Sequence, residues 1–170
     1  MKTEKLAHWL TIVGNLGILG GLILVAIELN QNTASIQGSA YQTWVAANLE
    51  LNATASTDGM SQTLNAGNLD SANLNQGNFI EYGLWNYSFF QLIQATDYLY
   101  KTGSLDRALW QSEINRAAVH LELRGVRQWW DAGGKTQLTP EFVELIESTR
   151  STSTRWGWED GRGVLQDTAQ

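Results

Sequence analysis

The 170-residue chain contains no cysteine, one proline and two histidines, His8 and His120. The absence of cysteine excludes disulfide bonds, thiolate zinc sites, iron–sulfur clusters and cysteine nucleophiles. Two histidines are too few for a histidine-rich metal site, and the sequence has neither a glycine-rich phosphate loop nor a G-x-S-x-G nucleophile motif. The sequence therefore predicts no catalytic residue, no metal ligand and no bound cofactor.

Basic residues are scarce. The chain has 11 Lys and Arg against 17 Asp and Glu, a formal net charge of -6. This balance argues against a broad electrostatic contact with nucleic acid, so no nucleic-acid partner is expected. The shortage is concentrated in residues 29–100, which contain no Lys or Arg but include Glu50, Asp58, Asp70, Glu81 and Asp97. The middle of the chain is therefore its acidic part.

One long hydrophobic run stands near the amino terminus. Residues 6–27 carry no formal charge and lie between Lys5 and Glu28. As a helix this run is about 33 Å long, enough to cross the hydrocarbon core of a bilayer. The alternative is a cleaved signal peptide, but the run is longer than the apolar h-region of an ordinary signal peptide and no small-x-small cleavage site follows it closely. We therefore predict a transmembrane anchor over residues 1–29.

The flanking charges predict the orientation of this anchor. Lys2 and Lys5 precede the apolar run, and the next basic residue is Lys101. Because basic residues near a span favour the cytoplasmic side, the amino terminus is expected in the cytoplasm. The prediction is a single-pass protein of the bacterial inner membrane with its C-terminal domain in the periplasm.

Small residues within the run predict a helix contact in the membrane. Gly14, Gly17 and Gly21 recur at three- and four-residue steps, Gly17 and Gly21 form a G-x-x-x-G pair, and Asn15 lies beside them. Such a face permits close backbone approach, and an amide in hydrocarbon needs a polar partner. The alternative is that glycine is simply frequent in membrane helices.

The remaining sequence predicts an all-α fold, with one transmembrane helix that continues into a long helix and then a small helical bundle. Residues 30–51 show a helical stripe and predict the extension. Residues 52–78 are rich in Asn, Ser, Thr and Gly, and predict a loop. Residues 79–150 predict the helical domain, with 79–100 as its aromatic core helix. Residues 151–170 predict a tail that is flexible or docks onto a partner.

Two tryptophan pairs are candidates for contact with a partner or a lipid surface. Trp129 and Trp130 are adjacent, and Trp156 and Trp158 flank a glycine in the polar tail. Tryptophan covers a large apolar area and keeps one N–H for a polar partner, which suits protein contacts and membrane interfaces. For Trp129 and Trp130 the burial argument favours core packing with one exposed ring over such a contact.

A metal site is conceivable at Glu113 and His120, which share a helical face, with Glu122 near them. A di-iron site in a helical bundle needs carboxylates from several helices and Glu-x-x-His pairs, and the sequence has no such pair. We therefore predict His120 to be a hydrogen-bonded residue of the surface or core.

Three short motifs stand at the two ends of the chain: E-x-x-Q-N-T at residues 28–33, G-x-L-D at 103–106 with Trp110 after it, and P-E-F at 140–142. Together they resemble a group of uncharacterised bacterial proteins that have an N-terminal membrane helix. The resemblance covers both ends of the chain and does not extend to residues 52–78. It implies a membrane-anchored helical fold, and it implies no activity and no catalytic residue.

These observations lead to one expected function and two alternatives. The expected function is a non-enzymatic, single-pass subunit or adaptor of a membrane protein complex. Its partners would be membrane lipid and either a membrane protein or further copies of the chain. The first alternative is a homo-oligomeric pore in which Asn15 lines a constriction. The second is an enzyme whose active site is supplied by a partner.

Overall fold

The computed structural model describes residues 2–152, 156–159 and 162–165. Within these ranges the chain forms six α-helices, two short 3-10 helices and one two-stranded β-hairpin. Two compact units are present, Met1–Ser39 and Ala40–Gln170. We call the second the helical unit. The predicted all-α architecture, with a long N-terminal helix followed by shorter helices, is confirmed.

Helix α1 runs from Lys2 to Ala55 without interruption. It contains no proline, so every residue can continue the main-chain hydrogen-bond ladder. Thr33 donates its hydroxyl proton to the Leu29 carbonyl oxygen at 2.9 Å, an i−4 bond that is compatible with the helix. The predicted continuation of the apolar helix is confirmed, and the helix extends to Ala55 rather than to residue 51.

The loop predicted over residues 52–78 is wrong, because helix α2 occupies Asp58–Leu69. A 3-10 turn follows at Ser71–Asn73. The polar residues of this stretch have weak intrinsic helix propensity, but α2 packs against two later helices. Gly67 is buried against the ring of Tyr82, and the Tyr82 hydroxyl donates to Asn68 Oδ1 at 3.0 Å. Tertiary packing therefore overrides local propensity in this stretch.

Helix α3, Gln76–Lys101, is the central helix of the helical unit. Asn75 caps its start by accepting a hydrogen bond from the Asn78 amide at 2.9 Å. Its apolar residues include Tyr82, Phe90 and Ile93, which are fully buried, so the prediction of a core helix over residues 79–100 is confirmed. Helix α4, Arg107–His120, begins after Asp106, whose Oδ1 accepts from the Leu109 amide at 2.9 Å.

The last helices close the core. Helix α5 spans Arg124–Asp131, a 3-10 turn spans Gly134–Gln137, and helix α6 spans Pro140–Thr152. Helix α3 packs on α2 and α4, helix α4 packs on α6, and helix α5 packs on α2. The buried side chains at these contacts form one hydrophobic cluster, which includes Phe90, Ile114, Val126, Phe142 and Ile146.

The tail contains a β-hairpin that the sequence analysis did not predict. Strand β1, Trp156–Glu159, pairs antiparallel with strand β2, Arg162–Leu165. Trp156 lies opposite Leu165, and Glu159 lies opposite Arg162. In the described part of the predicted tail, residues 151–152 complete α6, and residues 156–159 and 162–165 are paired backbone in two short strands.

Candidate functional site

The apolar part of α1 is the first candidate site. It is the described helix that is long and apolar enough to cross a membrane, with a mean hydropathy of 2.3 over an 18-residue window. None of that window is buried within the protein. Large apolar side chains such as Leu16, Leu19, Leu22 and Ile23 are more than half exposed. The helix therefore carries a continuous apolar surface that the described part of the chain does not cover.

The residues predicted to form a helix contact lie on this exposed helix. Gly14, Asn15, Gly17 and Gly21 are all exposed. A Cβ atom built on Gly14, Gly17 or Gly21 would meet nothing within 4 Å. The small-residue face is therefore open to a neighbour, and the predicted membrane contact stays a prediction.

The prediction that Trp129 and Trp130 contact a partner or lipid surface is wrong, because both are buried in the core, with 5% and 2% exposure. Trp130 packs against the ring of Phe90 at 4.7 Å between centroids, and its Nε1 donates to Glu147 Oε1 at 3.0 Å. This bond and the Lys135 ammonium hold the pKa of Glu147 below its usual range. Core packing therefore describes both tryptophans, and neither ring has the exposure that was expected for one of them.

Trp156 and Trp158 were the other pair predicted to contact a partner or lipid. Their backbone lies in strand β1. Their side chains lie outside the part of the chain that the structure describes, so this prediction is untested.

A polar cluster links the end of α1 to the bundle. Arg116 on α4 donates to Asn48 Oδ1 on α1 at 2.9 Å, and it forms an ion pair with Glu113. Glu113 is 5% exposed, so its charge depends on this guanidinium for compensation. The Arg116 guanidinium also lies over the ring of Phe89, 5.1 Å from its centroid. Asn48 and Arg116 therefore help to fix the end of α1 against α4.

His120 is a hydrogen-bonded residue of the fold, as predicted. Its Nε2 lies 2.9 Å from Asn86 Oδ1, and the Asn86 amide nitrogen donates to the Tyr82 carbonyl oxygen. Because that amide nitrogen is a donor, Oδ1 is the acceptor and Nε2 carries the proton. Burial, with the Arg116 charge, lowers the pKa of His120 to about 3. The imidazole is therefore neutral at physiological pH and holds α4 to α3.

The acidic residues near His120 are paired with cations. Glu113 pairs with Arg116, and Glu122 pairs with Arg150 and Arg127. Among the described residues no group of three or more His, Asp or Glu side chains has the geometry to hold a metal ion. Glu113 and Glu122, which were considered as metal ligands, therefore form ion pairs with arginines.

The helical unit contains a cavity that the sequence analysis did not anticipate. Its volume is about 450 Å³, and it lies between the end of α1, helix α2 and helix α3. Most of its wall is apolar, and two carboxylates and one serine are its main polar groups. The lining residues are Ala47, Glu50, Leu51, Thr54, Met60, Glu81, Leu84, Trp85, Ser88 and Leu92. We call it the α1–α3 cavity.

The α1–α3 cavity is missed by sequence reasoning for a simple reason. It depends on α2, which the sequence predicted to be a loop, and on the spacing of three helices that local patterns do not report. The available signal was the absence of basic residues over residues 29–100, because every wall residue of the cavity comes from that segment.

Comparison of the chain with protein-family models, with curated proteins and with solved structures finds no match.

Proposed function

We propose that the chain is a single-pass protein of the bacterial inner membrane and that its helical unit is a non-enzymatic adaptor. The observation that carries the proposal is the uncovered apolar surface of α1, with its mean hydropathy of 2.3 and no buried residue in the window. Leaving a large aliphatic side chain in water rather than in an apolar environment costs about 1.5–3 kcal/mol. A bilayer supplies that environment to the whole run at once.

A polar residue inside the run supports association with another helix. Asn15 lies within the apolar stretch, beside Gly14 and Gly17. An unpaired amide in hydrocarbon is costly, and a small-residue face lets a second helix approach closely enough to supply a partner. The proposed neighbour is a membrane protein or a second copy of this chain.

The surface of the helical unit supports a docking role. Ile80 and Leu84 are one helical turn apart on α3 and are 54% and 62% exposed. Exposed apolar residues that cluster, rather than occur singly, are typical of protein contact sites. This surface is the proposed contact with the partner.

The orientation follows from charge. Lys2 and Lys5 precede the apolar run, and no basic residue follows before Lys101. The positive-inside effect therefore favours a cytoplasmic amino terminus and a periplasmic helical unit.

Alkaline extraction of membranes tests the anchor. Wild-type protein is expected to stay in the membrane pellet, and a variant with Leu19→Arg and Leu22→Arg is expected to leave it. Each central arginine costs about 2.5–3.5 kcal/mol of insertion free energy. Wild-type protein that is washed off at high pH would refute the membrane assignment.

Size measurement in detergent tests the association. The particle is expected to exceed one chain, and Gly17→Leu is expected to shift it toward the monomer because the larger side chain separates the helices. Gly38→Leu is the matched control, since Gly38 is also a glycine of α1 at which a Cβ atom would meet nothing within 4 Å. A strictly monomeric wild type at all concentrations contradicts the adaptor. If the wild type conducts ions across liposome membranes and Asn15→Leu does not, the pore replaces the adaptor as the function of the chain.

A further inference from the structure

We propose that the α1–α3 cavity is a binding site for a small organic cation with an apolar body, such as a hydrophobic amine. The volume of about 450 Å³ lies within the range of small-molecule sites. The walls combine Leu51, Leu84 and Leu92 with a few polar groups. In small-molecule sites the apolar residues bury the body of the ligand and the few polar groups fix its orientation.

The charge of the cavity selects a cation. Glu50 and Glu81 both line it, and neither forms an ion pair with any side chain that the structure describes. No lysine or arginine occurs in residues 29–100, so none of the wall residues is basic. Two uncompensated carboxylates beside apolar surface attract a positive group and repel a negative one.

Two other acidic residues of the same segment have cationic partners. Asp70 pairs with Arg124 at 3.0 Å, and Asp97 pairs with Lys101 at 2.6 Å. Asp58 has no ion pair among the described residues, but it does not line the cavity, so Glu50 and Glu81 are the unpaired carboxylates of the segment that share one cavity.

Trp85 provides the aromatic wall. Its ring stacks on Phe89 at 5.6 Å between centroids and meets His120 edge-on at 5.7 Å, so its position is held by the core. An aromatic ring fixed beside carboxylates suits an ammonium group that carries an apolar body.

Two other cavities of the helical unit lack this charge pattern. The cavity of about 780 Å³ is lined by Asp97 together with its partner Lys101, and the cavity of about 500 Å³ is lined by Glu147 together with Lys135, 3.1 Å away. Each of them is also lined by one glutamate without an ion pair among the described residues, Glu141 or Glu144, but each has a lysine in its wall. The α1–α3 cavity has two such glutamates and no basic wall residue, so it is the site proposed for a cation.

Calorimetric titration of the full chain in phosphatidylcholine nanodiscs tests the proposal. The probe is 2-phenylethylamine, and 2-phenylethanol is the neutral ligand of nearly the same shape. Empty nanodiscs supply the background of partition into lipid. Saturable binding of the amine, roughly tenfold tighter than binding of the alcohol, is expected because charge-assisted hydrogen bonds to a carboxylate add to the apolar contact. No saturable binding of the amine, or equal binding of both probes, would overturn the proposal.

Carboxylate variants locate the site. The double variant Glu50→Gln with Glu81→Gln keeps the shape of both side chains and is expected to reduce the preference for the amine to about that of the alcohol. Glu144→Gln is the matched control, since Glu144 is an exposed glutamate of the same unit that does not line the α1–α3 cavity. Amine binding that survives in the double variant, or that is lost equally in Glu144→Gln, would show that the site lies elsewhere. Leu84 also belongs to the proposed contact surface, but these titrations contain no partner protein, so neither result depends on the docking role of the unit.

Discussion

Helices α2 and α5 approach each other at two glycines, Gly67 and Gly125, and the substitution Gly125→Ala is expected to force them apart. A Cβ atom at Gly125 would overlap the Gly67 carbonyl oxygen and would lie 3.0 Å from the Ser71 amide nitrogen. Both neighbours are main-chain atoms, so the overlap is relieved only if a helix moves. That movement would also stretch the 2.9 Å hydrogen bond from the Ser71 hydroxyl to the Gly125 carbonyl oxygen.

The expected magnitude follows from three contributions. Overpacking of a close contact costs about 1–3 kcal/mol, and loss of a buried hydrogen bond adds about 1 kcal/mol. Alanine regains up to about 1 kcal/mol through its higher helix propensity. The net expectation is a loss of about 2 kcal/mol in the free energy of unfolding, or roughly 7 °C in Tm for a unit of this size.

Gly59→Ala is the matched control for this substitution. Gly59 is the second residue of α2, as Gly125 is the second residue of α5, but a Cβ at Gly59 meets nothing within 4 Å. Its Tm is expected to be unchanged or slightly raised. Thermal unfolding of the purified full chain in detergent, followed by tryptophan fluorescence, measures both variants. A Gly125→Ala protein with a Tm at or above that of the wild type would refute the close contact.

Three further outcomes are expected. His120 has a folded-state pKa of about 3 against an ordinary value of 6.5, so only the unfolded chain takes up its proton below pH 6.5. The free energy of unfolding should therefore fall by about 1 kcal/mol between about pH 6.5 and pH 5.5. Denaturant titrations of His120→Gln should not show this fall, and an equal fall in both proteins would contradict the lowered pKa of His120. Arg116→Ala should lower the free energy of unfolding by about 3 kcal/mol, because the buried Glu113 carboxylate then has no cationic partner. The double variant Arg116→Ala with Glu113→Ala should regain part of that free energy, and a double variant no more stable than Arg116→Ala would argue against the ion pair. A reporter that is active only outside the cytoplasm should be active when fused after Gln170, because no basic residue follows the apolar run before Lys101; a silent fusion beside a working cytoplasmic reporter would reverse the orientation.

Some of this architecture is predictable from local sequence because local physics determines it. The apolar run of α1 is long enough to exclude a strand, and the aromatic density of α3 requires burial on most of its faces. Helix starts are marked by side chains that accept hydrogen bonds from free amides, as Asn75 and Asp106 do.

The rest depends on contacts between distant residues. The helical state of α2 depends on Gly67 meeting Tyr82 and Gly125, and glycine in a polar stretch predicts a loop when those partners are unknown. The burial of Trp129 and Trp130 likewise depends on which helices cover them, since the same adjacent tryptophans on an uncovered helix would form a contact surface. The α1–α3 cavity requires three helices to be placed before it exists.

The segment without lysine and arginine, residues 29–100, extends further than membrane orientation requires. Basic residues influence orientation mainly within about 15–20 residues of the end of a span, which here reaches to about residue 48. Orientation therefore does not account for the lack of basic residues around Glu81. That lack agrees with the cation site proposed above, because a lysine or arginine on the cavity wall would compete with an external cation for Glu50 and Glu81.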